Sequence, residues 1–172
     1  MKESTFRYYP NIYADEALVH ADGVCQCCGK NVHEYIEFMY TEEKVDCICL
    51  PCIHDGSAAI KFQGEFIAAA DWVSDSAKRE ELFHRTPGYI SIQDVYWLAC
   101  CDDYCQFLRY VDDINDLDEL GCQEELLQEY AQRKDSHPLD FVRKYLHRDW
   151  DVRGYLFKCM HCGKYHLWVD VD

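Results

Sequence analysis

The chain is short of positive charge: 17 Lys and Arg stand against 32 Asp and Glu, leaving a formal charge of −15. Neutralising phosphates takes clustered basic side chains, so no direct contact with nucleic acid is expected. The same deficit disfavours an anionic membrane surface. Long apolar runs are missing too. The opening segment, Met1-Lys-Glu-Ser-Thr-Phe-Arg-Tyr-Tyr-Pro10, lacks the apolar stretch that a signal peptide needs. No segment approaches the roughly 18 apolar residues of a membrane-spanning helix. The expected location is the cytoplasm. Also absent are a Walker loop, a dinucleotide glycine fingerprint, a G-x-S-x-G elbow and an H-E-x-x-H pair. The eight histidines are scattered, and His33, His54 and His84 sit near aromatic or turn positions that suit packing or surface roles. The chain does not read as an enzyme.

Against these absences stand 49% hydrophobic, 28% charged and 15% aromatic residues, a globular composition with enough large side chains to fill a core. At 172 residues the length allows one domain or two small ones, and no low-complexity linker marks a boundary. The chief excess is twelve cysteines. In a reducing cytosol such thiols bind metal or do redox work rather than form structural disulfides.

Periodicity gives a coarse map. Residues 1–24 read as an irregular or short-stranded arm carrying Phe6, Tyr8, Tyr9, Ile12 and Tyr13. Residues 35–40, Tyr-Ile-Glu-Phe-Met-Tyr, read as a strand between two cysteine clusters. A short helix is expected from Asp55 or Ser57 to Phe62, and a second from Ser74 or Asp75 to His84, stopped by Thr86-Pro87-Gly88. Residues 95–111 are rich in β-formers, broken by cysteines at 100–105. Asn115 can cap a helix to about Gln132, with Leu117, Leu120, Leu127 and Tyr130 inward. Another helix follows Pro138, aligning Leu139, Val142, Leu146 and Trp150. The C-terminal part reads as two strands joined by a cysteine turn, the later one pointing Tyr165, Leu167, Val169 and Val171 one way.

Three cysteine pairs have C-x-x-C spacing: Cys25/Cys28, Cys49/Cys52 and Cys159/Cys162. Random scatter of the cysteines would give roughly 0.8 such pair. The flanks add more. Cys25-Gln-Cys-Cys28-Gly29-Lys30 and Cys159-Met-His-Cys162-Gly163-Lys164 are one motif, C-x-x-C-G-K, written twice. Two thiolates at this spacing chelate one ion only if the backbone curls around it, and glycine after the second cysteine permits the positive φ of that curl. This is a zinc knuckle. A structural zinc takes four ligands, so each knuckle needs a second pair.

For the first knuckle, Cys49 and Cys52 lie at zinc-ribbon spacing, which predicts a site of Cys25, Cys28, Cys49 and Cys52. For the second, Cys101 and Cys105 are the expected partners of Cys159 and Cys162, with Cys100, His161 or His166 as possible substitutes. Two structural zinc ions are the expected cofactors. The plainer reading of Cys100, Cys101 and Cys105 is buried free thiols, and Cys27, Cys47 and Cys122 read that way too. A thioredoxin-like role wants the C-x-x-C at a helix N-terminus, whereas Cys162 leads into a strand.

From position 112 to 129 there are eight acids and no Lys or Arg: Asp112, Asp113, Asp116, Asp118, Glu119, Glu124, Glu125 and Glu129. A run of this kind is commonly a solvated helix face. The functional reading is a docking surface for a basic protein, with Tyr104, Phe107, Tyr110 and Tyr130 nearby as aromatic anchors.

Several stretches taken together carry a family resemblance. They are Phe6-Arg-Tyr-Tyr-Pro10, the first knuckle, Cys49-Leu-Pro-Cys52-Ile, Lys61-Phe62-x-Gly64-Glu65-Phe66, His84-Arg-Thr-Pro-Gly-Tyr89, Tyr96-Trp97, Cys101-Asp-Asp-Tyr-Cys105 and the closing Cys159-x-His-Cys162-Gly163. In these the chain resembles the CbrC family of bacterial proteins, named for a member linked to tolerance of a DNase colicin. The resemblance implies a link to toxin tolerance and supplies no catalytic residues.

The expected architecture is an α+β fold of zinc-ribbon-like knuckles, short antiparallel strands and several helices. Residues 1–72 would form a zinc-ribbon-like part and 73–172 a second zinc-clasped part, packed with the first as one unit. The expected function is a non-enzymatic, zinc-stabilised protein giving immunity or tolerance to a toxin. It would bind that toxin, a basic nuclease, through the acidic surface. The alternative is a zinc-ribbon adaptor or regulator of a stress response whose effect on tolerance is indirect, ahead of a thiol redox protein. If eight cysteines bind two Zn2+ as thiolates, the charge of −15 deepens to about −19.

Overall fold

Short elements dominate, because turn formers and cysteines interrupt nearly every apolar run. The computed structural model describes residues 4–172. After a one-turn 3-10 helix at Ile12–Ala14, strands β1 (Val19–Val24) and β2 (Asn31–Tyr35) pair antiparallel. Two short helices follow, α1 (Leu50–His54) and α2 (Ser57–Phe62). Strand β3 (Ala69–Ala70) pairs in parallel with β4 (Tyr96–Trp97), and between them lies α3 (Ser76–Arg85). Strands β5 (Ala99–Cys100) and β6 (Asp103–Tyr104) form a minimal hairpin. Strand β7 (Gln106–Val111) leads to a 3-10 helix (Ile114–Leu120), α4 (Gln123–Ala131) and α5 (Leu139–Tyr145). Strands β8 (Val152–Lys158) and β9 (Tyr165–Val171) complete a three-stranded antiparallel sheet in the order β7-β8-β9. The result is the α+β mixture of short antiparallel strands and helices that the sequence implies.

That sheet is buried on both faces, so side-chain alternation sends each strand into two cores. Phe107 of β7 and Tyr155 and Phe157 of β8 enter the larger cluster, which also holds Tyr8, Tyr9, Tyr89, Trp97 and the α1 residues Leu50 and Ile53. Val111, Val152, Leu156, Leu167 and Val169 enter the smaller one, closed by Leu126, Leu127 and Tyr130 of α4 and Val142 of α5. The predicted alternation of Tyr165, Leu167, Val169 and Val171 is thus observed, all four lying against the smaller core. The larger core runs from Phe6 to Cys159, drawing residues from both sides of position 72. Phe107 is its centre, with ring contacts to Tyr9, Tyr89, Trp97, Tyr110 and Phe157.

Three expectations need correction. The strand expected at 35–40 lies earlier, at β2, and Ile36 and Tyr40 make only isolated bridges to Ile48 and Glu65. The short-stranded alternative for the arm of residues 1–24 is the one observed, as β1, and residues 50–54 form a helix because Pro51 favours a first turn. The helix expected from Asn115 to Gln132 is split at Gly121, whose φ of +65° ends the 3-10 helix. Its cap is the Asp113 side chain, which accepts from the Asn115 N–H. Helix α5 stops at Tyr145, so Trp150 leaves the helical register and is 55% exposed.

Phe107→Ala should therefore lower unfolding free energy by about 3–5 kcal/mol. Trp150→Ala should cost less than about 1 kcal/mol. Denaturant midpoints of both variants check this pair, and similar values for the two would contradict the core assignment.

Candidate metal centres

Each knuckle is a backbone device. In the first, the Cys25 N–H donates to Lys30 O at 2.9 Å and the Gly29 N–H to Cys25 O at 2.7 Å, with Gly29 at φ +73°. In the second, the Cys159 N–H donates to Lys164 O at 2.9 Å and the Gly163 N–H to Cys159 O at 3.1 Å, again with φ +73°. The repeated six-residue motif folds the same way twice.

The second pair of sulfurs comes from different scaffolds. For the first knuckle it comes from α1, with Cys49 as its N-cap and Cys52 in its first turn. The Cys49 N–H donates to Cys25 Sγ at 3.3 Å, and Cys28 Sγ lies 3.9 Å from Cys49 Sγ. Ligand atoms of Cys25, Cys28, Cys49 and Cys52 all lie within 4.8 Å of one another. This is the predicted group. For the second knuckle the partners are at the tip of the β5–β6 hairpin. Cys100, Cys101, Cys159 and Cys162 lie within 4.8 Å of one another, with Cys100 Sγ at 3.7 Å from both Cys101 Sγ and Cys162 Sγ.

The expected ligand set of the second group is corrected at one position: Cys100 stands where Cys105 was expected. The hairpin explains the exchange. Cys101 and Asp102 form its turn, while Cys105 lies past its open end, its N–H bonded to Leu98 O. Cys105 is wholly buried in the larger core, and its carbonyl accepts from Trp97 Nε1 at 2.8 Å. Neither histidine substitutes. His161 Nε2 lies 2.8 Å from an Asp103 carboxylate oxygen, and His166 Nδ1 lies 3.3 Å from Glu129.

Without a cation, four crowded thiols share little negative charge. Burial pushes the Cys25 thiol up, but backbone N–H groups of Cys49, Cys28 and Cys27 outweigh it and bring it down to about 7. At Cys159 burial is likewise overcome, here by the Cys162 and His161 N–H groups, which bring it down to about 6. Their neighbours move the other way: burial lifts Cys49 to about 12 and also raises Cys52 and Cys100. Each group thus holds one ready thiolate, the first cysteine of its knuckle, and a bound cation would draw the protons off the rest.

Beside the second group sits a residue that the sequence reading did not single out. Asp103 is 1% exposed and carries four side-chain partners: Arg7 at 2.5 Å, the Tyr8 hydroxyl at 3.0 Å, His161 at 2.8 Å and Lys78 at 3.4 Å. It ties the N-terminal arm, α3 and the second knuckle to the hairpin that bears Cys100 and Cys101. Burial opposes its charge, and the His161, Tyr8, Arg7 and Lys78 contacts prevail, holding its carboxyl below the usual range. The signal available in sequence was only the Asp-Asp between two cysteines.

The acidic run is largely paired within the molecule. Asp112 meets Arg153, Asp113 meets His147, Asp116 meets Arg148, Glu119 meets Arg109, Glu124 meets Arg143 and Glu129 meets His166. Among the described residues only Asp118 and Glu125 of the eight have no such partner. Of the four aromatic anchors, Tyr104, Phe107 and Tyr130 are buried and Tyr110 is half-buried.

Fold and site define an α+β protein with two tetracysteine groups that could each hold a metal ion, every group made of one C-x-x-C-G-K knuckle and one further cysteine pair. The chain belongs to the family described as Uncharacterised protein family (UPF0167), whose profile matches residues 4–171. It is 32% identical over 186 aligned positions to a UPF0167 protein of Pseudomonas aeruginosa, covering 96% of this chain and 95% of that one. It is 31% identical to UPF0167 proteins of Mycobacterium bovis and Mycobacterium tuberculosis, covering 96% of this chain and 91% of theirs. No solved structure matches. The assignment to the CbrC family is corrected by these matches: the family is UPF0167. No helix among the described residues is long and apolar enough to cross a membrane.

Two substitutions test the local chemistry. A Cβ at Gly29 or Gly163 would meet nothing within 4 Å, so only the left-handed backbone penalises it. Gly29→Ala and Gly163→Ala should each cost about 1–2 kcal/mol in denaturant unfolding, and no cost would refute the curl. Asp103→Asn should cost on the order of 3 kcal/mol, because the cations gathered on the carboxylate lose its charge. An unchanged unfolding midpoint would show that the carboxylate does not clamp the hairpin.

Proposed function

We propose that the chain is a non-enzymatic binding protein stapled by two structural zinc ions. The observation that carries this is the spacing of the sulfurs. Zinc holds thiolates at about 2.3 Å, which sets tetrahedral edges of about 3.8 Å. The closest sulfur pairs lie at 3.9 Å in the first group and 3.7 Å in the second. Cysteine supplies all four positions of each group, as in closed structural sites rather than catalytic ones that keep a position for water. Each group joins segments distant in the chain, so zinc affinity would be folding energy. The twelve free cysteines suit a reducing compartment such as the cytoplasm.

The charge of −15 favours a basic protein as partner. Since four of the eight acids at 112–129 pair with arginines and two more contact histidines, the carboxylates of that run left without any partner are Asp118 and Glu125. Spare acid of the same kind lies at Glu37, Glu42 and Glu43, exposed and without an ion pair among the described residues. Between them Phe38 is 53% exposed and walls a cavity of about 300 Å³ with Ile36, Tyr40 and Ile90. An open aromatic beside the unpaired carboxylate of Glu37, which lines the same cavity, suits a basic surface with an apolar anchor.

Metal analysis of the purified chain should return two zinc ions, and Cys25→Ser and Cys159→Ser should each return about one, with local unfolding of the altered knuckle. An Arg- and Leu-rich peptide used as a probe should bind at low salt and lose at least about tenfold in affinity to Glu37→Lys combined with Phe38→Ala. A chain without zinc, or a fully folded and fully metallated double cysteine variant, would overturn the stapling.

A further inference from the structure

The two groups share a knuckle and differ in what covers them. In the first, Cys25, Cys49 and Cys52 all belong to the larger core and only Cys28 is exposed, while a helix fixes the second pair. In the second, only Cys159 belongs to the core. Cys101 and Cys162 are exposed, and Cys100 is half-buried. The hairpin that presents Cys100 and Cys101 has two residues per strand. Its turn holds Cys101 and Asp102 at φ +56° and +54°, the left-handed region that side chains other than Gly, Asn and Asp avoid. A small reagent can therefore reach two sulfurs of this group, and the turn carrying its second pair is held by polar contacts of Asp102 with Ser74 and Lys78 and of Asp103 with Arg7 and His161, not by burial of its sulfurs.

We propose that the second group is an oxidation site, at which hydrogen peroxide joins Cys162 to Cys100 as a disulfide and so frees the ion held there while the first group keeps its own. This rests on the zinc reading above. The thiolate sulfur of Cys162 attacks one peroxide oxygen; an S–O bond forms, the O–O bond breaks, and the departing hydroxide takes a proton to become water. Cys100 Sγ, 3.7 Å away, then attacks the Cys162 sulfur. The S–S bond forms, the S–O bond breaks and the second hydroxide leaves as water. Two thiolates are oxidised by two electrons in all, and the peroxide is reduced to two waters. The ion is left with Cys101 and Cys159 alone, too few to hold it as four did.

Cys100 also lies 3.7 Å from Cys101, but those two are neighbours in the chain. Adjacent Cα atoms stand about 3.8 Å apart, below the roughly 4.4–6.8 Å that ordinary disulfides span. Cys162 has no such restriction. Opening the group would also release His161 from Asp103, since both are fixed by the knuckle and the hairpin that the sulfurs join. The oxidised form is thus expected to loosen the C-terminal knuckle while the α1 side of the molecule stays intact.

The test is a peroxide titration of the zinc-loaded full chain, with released zinc read by a chromogenic chelator and disulfides mapped by mass spectrometry of alkylated peptides. One zinc should leave at least about tenfold faster than the other, together with a Cys100–Cys162 link, and dithiothreitol with added zinc should restore the starting state. The Cys28→Ser chain gives a second reading, because its remaining intact group should still release zinc at the fast rate. Simultaneous loss of both ions, earlier loss from the first group, or a map without the Cys100–Cys162 link would overturn the oxidation site and leave the zinc reading standing. A chain that contains no zinc before peroxide is added overturns both.

Discussion

Four sulfurs held within 4.8 Å of one another are not an arrangement that a polypeptide keeps by packing alone. Ionised together they repel, and protonated together they are weak partners that waste the backbone N–H groups aimed at them. The one compromise open to the metal-free chain is a single thiolate per group, and it falls on Cys25 and Cys159, where the knuckle amides converge. Everything nearby is arranged for a cation that would satisfy all four. The larger core closes against Cys25, Cys49, Cys52 and Cys159, so the metal groups are built into its wall rather than hung on the surface. A cation bound there would consequently be linked to the integrity of that core.

What was legible in the sequence follows from how local each signal is. A C-x-x-C-G-K curl involves six neighbouring residues and a glycine at positive φ, so both knuckles could be read without any knowledge of the fold. The pairing of Cys25 and Cys28 with Cys49 and Cys52 was also readable, since ribbon spacing limits the options. The choice between Cys100 and Cys105 was not, because it depends on where a two-residue hairpin turn falls. A shift of one position decides which thiol reaches the tip and which enters the core against Trp97. Similarly, the apolar pattern after Asn115 satisfied a long helix, and only the left-handed Gly121 divides it. Asp103 was invisible for a different reason: its partners, Arg7, Tyr8, Lys78 and His161, lie from 96 residues before it to 58 after it.

Charge tells a related story. Composition alone presents 112–129 as an acidic face, yet the fold sets Arg109, Arg143, Arg148 and Arg153 against it, with His147 and His166 alongside. Most of these pairs are at least partly open to solvent, so they add little stability individually. Their effect is to offset about half of the charge that the run would otherwise project, four arginines against eight carboxylates. The net excess of acid is thereby displaced to other surfaces, among them the loop that carries Glu37, Glu42 and Glu43 beside Phe38. A linear count of carboxylates locates where negative charge is encoded, and the distribution of arginines decides where it is felt.

The two knuckles also show how far a repeated motif determines behaviour. Their backbones agree closely, down to the same φ of +73° at Gly29 and Gly163. Their partners do not. A helix N-terminus packed into a core receives one, and a strained two-residue turn at the molecular edge receives the other. Ligand identity is the same in both, so any difference in metal retention has to come from solvent access and from the local cost of moving the second pair. Both factors point to the group at Cys100, Cys101, Cys159 and Cys162 as the more labile. The two groups are therefore not anchored alike: the first is set in the fold through three core sulfurs, and the second through one, with Asp103 holding its hairpin against the knuckle.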